Sequence, residues 1–329
     1  MNRRMWTWAR LAGGAGVLAV IVVRLGAGPF LDGLRSVSLW SLLAASGIAL
    51  LTTACNAWRW CLVARGPDVP LRFRTAFAAY YRSQFLNTAL PGGILGDVHR
   101  GVRHGRDSGH LGRGLRGVVV ERAAAQAVQV AVALIVLCFV GSPVRDTVVV
   151  VLLAAAICLL VAALVVRAVP RTQRDGSARW MRAGRVVAAE LRTLAAPNRW
   201  PGVVGTSLIA VAGYTATFLI AARAAGSTAS LAELLPLTML VLLVAAVPVN
   251  LGGWGPREGV AAWAFAAAGL GAARGVAAGT TYGVLIAVAT LPGAVVLVAG
   301  WFGRRQRKAP VTRANLAQRR PEPAGVVDG

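Results

Sequence analysis

Apolar residues in this chain fall in long uninterrupted runs, and the charged residues are confined to the stretches between them. Runs of about 20 residues rising 1.5 Å each are long enough to cross the hydrocarbon core of a bilayer. A β-barrel would instead show ten-residue segments of alternating character. The pattern predicts an all-α polytopic membrane protein with about six full spans, over 11–29, 38–60, 117–140, 147–167, 201–223 and 275–301. The first of these follows a basic start, MNRRMWTWAR, and so imitates a signal peptide. No clear small-x-small cleavage site follows before Pro29, and it is read as a membrane helix.

The basic residues orient these spans, because cytoplasmic loops collect arginine and lysine. Arg3, Arg4 and Arg10 place the N-terminus in the cytoplasm. The same rule places 61–74 there, with Arg65, Arg72 and Arg74, and the 97–116 loop, with Arg100, Arg103, Arg106, Arg113 and Arg116. The apolar segment 75–95 then has both flanks on one side. A re-entrant hairpin breaking at Pro91, Gly92 and Gly93, with Gly96 just beyond, resolves the conflict. Such backbone is tolerated at membrane depth only where protein buries it or a wet cavity adjoins it.

The second half poses the same problem. Its apolar segment 232–270 is split by PVNLGGWGPREG, with breaks at Pro248, Gly252, Gly253 and Gly255. A hairpin entering from the opposite face leaves the C-terminus cytoplasmic. The halves then match with opposite sense, an inverted repeat with two re-entrant broken hairpins. In transporters, interrupted segments at corresponding positions point to a binding site near the midplane. Residues 1–303 form the transmembrane domain. The basic, proline-containing tail 304–329 is expected to be disordered. The arginine-studded stretch WMRAGRVVAAELRTLAA, within 167–200, is expected to lie on the membrane surface.

Composition changes this picture little. The 329 residues are 57% hydrophobic and only 14% charged. The net charge of +23 comes from arginine almost alone, Lys308 being the single lysine. Without a nucleic-acid fold signature, that excess is assigned to cytoplasmic loops and no nucleic acid is expected as a partner. Cys55, Cys61, Cys138 and Cys158 all lie in apolar segments without metal or disulfide spacing and are read as small buried hydrophobes.

Ionisable groups inside apolar segments are the candidates for chemistry, since each is costly unless paired or functional. Arg82 and Asn87 precede the first break. Arg82 either snorkels to the interface or meets a polar cavity. Asp97 follows the break and either caps a short helix or joins Arg100 in shaping a cavity for a charged head group. Glu121 and Arg122 sit about one turn into the span 117–140. Glu121 is expected to neutralise Arg100 or Arg82, and Gln126 and Gln129 to bond neighbouring helices. In the second hairpin, Pro256 opens a helix with Arg257 and Glu258 in its first turn. Glu258 suits the helix dipole and Arg257 does not, so Arg257 needs a partner, whether Glu258, Glu233 or an anionic ligand. His99, His104 and His110 fall in the 97–116 loop, read as solvated. No metal site, cofactor site or catalytic set is evident, and no enzymatic activity is expected.

The combination LNTALPGGILGDVHR, then VVVER, then VPVNLGGWGPREG resembles the flippase-like membrane domain of bacterial lysylphosphatidylglycerol synthases. The resemblance covers roughly residues 10–303. It rests on Pro91, Gly92, Gly96, Asp97 and Arg100, on Glu121 and Arg122, and on Pro248, Gly252, Gly253, Gly255, Arg257, Glu258 and Gly259. It implies a protein of the bacterial plasma membrane that moves a lipid with a polar or charged head group between leaflets. The large cytosolic domain that aminoacylates the lipid in full synthases does not follow here, so that activity is not expected. The implied partners are membrane lipids, either an anionic phospholipid or a polyprenyl-linked lipid, with a homo-oligomer or an envelope-synthesis protein as a further possibility. The alternative is a non-transporting scaffold or accessory subunit of a lipid or cell-envelope glycolipid pathway. A lipid-phosphate enzyme would have only Asp97, His99 and Arg100 to work with.

Overall fold

A computed structural model of the chain describes residues 19, 21–64, 71–90, 93–140, 199–246 and 255–307. After a short helical stretch at 21–25, ten helices follow, and no strand occurs among the described residues. They are α1 (Gly28–Arg35), α2 (Leu39–Val63), α3 (Phe73–Ala89), α4 (Leu95–Asp107), α5 (Leu111–Phe139), α6 (Trp200–Ala224), α7 (Leu231–Ala245), α8 (Pro256–Ala267), α9 (Ala272–Ala289) and α10 (Pro292–Arg307).

Among the described residues, four segments are long and apolar enough to cross a membrane: α2, α5, α6 and Ala272–Gly300, which combines α9 with most of α10. They coincide with four of the expected spans. Their outward faces are apolar, with Trp40, Phe139, Ile209 and Val295 all exposed, as lipid-facing helices require. The expected span 147–167, the surface stretch in 167–200 and the tail beyond 307 lie outside the described residues. So do Pro91, Gly92, Pro248, Gly252 and Gly253.

The expected first span does not run unbroken to residue 29. Gly26 adopts a left-handed φ of 75°, a conformation that suits glycine at a helix end. Pro29 then opens α1, where its missing N–H is harmless. Helix α1 thus occupies the stretch between the first two expected spans, and packs on α9.

The 97–116 loop is also corrected. It is helical over most of its length, as α4 and the first turns of α5. The backbone tolerates this because glycines let helices touch. A Cβ on Gly96 would lie 2.0 Å from the Ser83 carbonyl oxygen of α3, and one on Gly114 would lie 2.5 Å from the Gly105 nitrogen of α4. His104 is accordingly half-buried, edge-on to Trp60 at 5.5 Å, rather than solvated.

Each half contains two short helices that pack on each other: α3 with α4, and α7 with α8. The second pair forms much of the apolar core. Leu234, Leu237 and Val241 of α7 are fully buried with Phe218 of α6, Phe265 of α8 and Leu285 of α9. The first pair is set in a polar environment, and there the candidate site lies.

Candidate functional site

Four helices bring ionisable side chains to one buried point, and a fifth adds a serine. Glu121 of α5 stands at its centre with no exposed surface. Its Oε1 accepts from Arg59 of α2, at 2.9 Å from Nε and 2.6 Å from Nη2. Its Oε2 accepts from Arg100 Nη2 of α4 at 3.0 Å, and the Tyr80 hydroxyl of α3 donates to both oxygens at 3.1 and 3.3 Å. Ser207 of α6 takes a further Arg59 N–H at 3.2 Å.

Asp97 forms a second node. It accepts from Arg100 Nη2 at 3.1 Å, Arg122 Nη2 at 2.5 Å, Ser83 Oγ at 3.0 Å and Asn87 Nδ2 at 3.0 Å. Arg100 is shared between the two carboxylates and held between the faces of Tyr80 and Trp60, 4.2 and 4.5 Å from its guanidinium carbon. A buried carboxylate is tolerable only with this density of donors.

Three arginines and two carboxylates leave the cluster with one excess positive charge. Of its arginines, Arg59 and Arg100 are buried. The Arg122 side chain is 46% exposed and lines a cavity of about 250 Å³. Residues flanking the breaks of both helix pairs border that cavity. Asn87, Thr88 and Gly93 border it from the first half, and Ala245, Ala246 and Pro256 from the second. Arg257 reaches it from the side opposite Arg122 in sequence. An adjoining cavity of about 180 Å³ shares Gln84, Arg122, Tyr214 and Tyr282, and contains Gln126 and Gln129.

Arg257 is paired with its neighbour Glu258 through Nε at 3.0 Å and through a closer Nη2 contact. Glu258 also accepts the Gly255 N–H at 2.7 Å. Gly255 has a φ of 114°, open to glycine and strained for any other residue. Arg257 additionally lies 5.2 Å from the Tyr282 ring centre.

The expected residues therefore divide. Asn87, Asp97, Arg100, Glu121 and Arg122 come together in one network, and Arg257 with Glu258 faces it across the cavity. Glu121 meets Arg100, one of its two expected partners. Arg82 is buried elsewhere, in a separate cleft with Arg100. Among the described residues, no group of three or more histidine, cysteine or acidic side chains is arranged to hold a metal. Four participants in the network's hydrogen bonds were not anticipated: Arg59, Tyr80, Ser83 and Ser207. Arg59 carried the available signal, as an arginine inside the apolar run NAWRWCLV.

Comparison with curated proteins gives no match, and neither does comparison with solved structures. The family described as the lysylphosphatidylglycerol synthase TM region matches residues 7–293, and the chain belongs to that family.

Proposed function

We propose that this protein is a lipid flippase or flippase-like transporter, passing a lipid with an anionic head group between leaflets. The observation that carries the proposal is the cavity bordered by residues flanking both helix breaks, and lined by Arg122 and Arg257 from opposite halves. Arginine suits phosphate because its planar donors bind it in pairs. Gln84, Thr88, Tyr214 and Thr290 supply neutral polar groups around them.

The helix pairs act as re-entrant hairpins of an inverted repeat. In support, α2 packs on α6, α5 on α7, and α9 on α3. Those are the pairings expected if α2, α3–α4 and α5 correspond to α6, α7–α8 and α9. On this reading both termini are cytoplasmic, the location is the plasma membrane, and the protein performs no covalent chemistry. Movement is passive or ion-coupled.

The test is native mass spectrometry of lipids retained by the purified protein, followed by a leaflet-exchange assay in proteoliposomes. Arg122→Gln and Arg257→Ala should lose a specific anionic phospholipid or polyprenyl lipid and slow its exchange. Retention of bulk phospholipid alone by all three proteins, with no exchange, would sink the proposal in favour of a scaffold.

A further inference from the structure

A third cavity, of about 390 Å³, shares no lining residue with the other two. It lies between the N-terminal half of α3, the C-terminal half of α4 and α10. Arg74 and Arg82 of α3 and Arg100 and Arg103 of α4 line it, and among the described residues Asp107 is its one carboxylate. Four guanidinium groups around a single acid form a concentrated positive field in a partly dry cleft.

Two of those arginines also present buried N–H groups without an acceptor. Arg103 Nη1 has no hydrogen-bond partner among the described residues, and neither do Nε and Nη1 of Arg100. Arg100 is itself only 1% exposed. Its Nη2 already serves Asp97 and Glu121, so neither carboxylate supplies the missing acceptor. Buried donors left unmet are costly, and an anion in the cleft would meet them.

The charge balance narrows the ligand. A phosphodiester carries one negative charge, which a single arginine can answer. A phosphomonoester carries about −1.5 to −2 at pH 7 and offers three terminal oxygens. With Arg100 already shared by Asp97 and Glu121, the other arginines among the described lining residues, Arg74, Arg82 and Arg103, exceed Asp107 by two. We propose that it is a binding site for a phosphomonoester or diphosphate group, separate from the central cavity. The group could be dissolved or lipid-borne. Val296 and Gly300 of α10 form one wall, while Val295 and Val298 on the same helix are exposed for acyl chains to run along.

The full chain in phosphatidylcholine nanodiscs tests both sources. Inorganic pyrophosphate is titrated calorimetrically, and in parallel the retention of phosphatidic acid is compared with that of phosphatidylglycerol. The variants are Arg103→Gln and, as a safeguard against misfolding, the exposed Arg74→Gln. Pyrophosphate should bind the unmodified protein and weaken about tenfold or more in Arg103→Gln, as loss of one charge-assisted hydrogen bond implies. That result assigns a soluble phosphate. A preference for phosphatidic acid that the variants abolish, without pyrophosphate binding, assigns a lipid phosphate. The exposed Arg274 lines none of the three cavities, so Arg274→Gln should leave cleft binding intact. Equal weakening in Arg274→Gln, or binding of neither probe that depends on Arg74 or Arg103 in variants of unchanged melting temperature, overturns the proposal.

Discussion

The two helix pairs occupy equivalent places in the halves but are held in opposite ways. The first, α3–α4, is fastened by charge. Asp97 and Arg100 reach Arg122 and Glu121 on α5, and through Glu121 they are tied to Arg59 on α2. The second, α7–α8, is fastened by apolar packing through Leu234, Leu237 and Phe265. Its ion pair, Arg257–Glu258, joins adjacent residues of α8, and Arg257 stands 5.2 Å from the Tyr282 ring of α9. Ion pairs at low dielectric are directional and fail abruptly when displaced. Apolar side chains can slide with modest loss. The first pair is thus expected to act as a fixed wall, and the second to shift more readily.

The sharpest way to break this contrast is Glu121→Gln. It strips the carboxylate from Arg59 and Arg100 together and should cost about 3–5 kcal/mol. The expected readout is a large drop in melting temperature in detergent, or failure to accumulate. The apolar counterpart is Leu237→Ala, which leaves a cavity beside Phe218 and should cost roughly 3 kcal/mol. Its loss should be graded rather than all-or-none, with Leu237→Met close to the original in the same melt. Gly96→Ala should cost roughly 1–3 kcal/mol by forcing α4 away from α3. Amide exchange should rise in both helices while α7 keeps its protection. The mildest change is Ser230→Ala at the start of α7, which removes the hydroxyl accepting from the Glu233 N–H and should cost about 1 kcal/mol. Without any substitution, amides of α8 should exchange faster than those of α4. The reverse order would undo the assignment of fixed and movable walls.

The sequence made much of this readable because apolar length is a local property. The expected spans 38–60, 117–140 and 201–223 fall within a few residues of the α2, α5 and α6 cores, except that α5 begins six residues earlier, at Leu111. Its first turns carry Arg113 and Arg116, which composition assigns to a loop. The Arg257–Glu258 pair was visible because its members are neighbours. The network around Glu121 was only half visible. Its charges could be listed as needing partners, but Arg59 stands 62 residues away on another helix, and pairing at that range depends on how helices rotate against one another. Tyr80 and Ser83 are ordinary residues of a helix whose buried face has a weak periodic signal. The sequence left Arg82 between snorkelling and a polar cavity, because the cleft it lines depends on α10, more than 200 residues on in the chain.

The span of 62 residues between Arg59 and Glu121 also sets a problem of timing. Chains grow from the N-terminus at roughly 5–20 residues per second, so Arg59 precedes its acid by about 3–12 s. During that interval an arginine near the end of α2 has no carboxylate from α5, at an insertion cost of up to about 2.5–3.5 kcal/mol for a central position. The apolar length of α2 must carry that charge alone, or α2 must wait beside the insertion machinery until α5 arrives. The ion pair therefore sets a condition on insertion: until α5 supplies Glu121, the apolar length of α2 or a stay beside that machinery must offset the Arg59 charge.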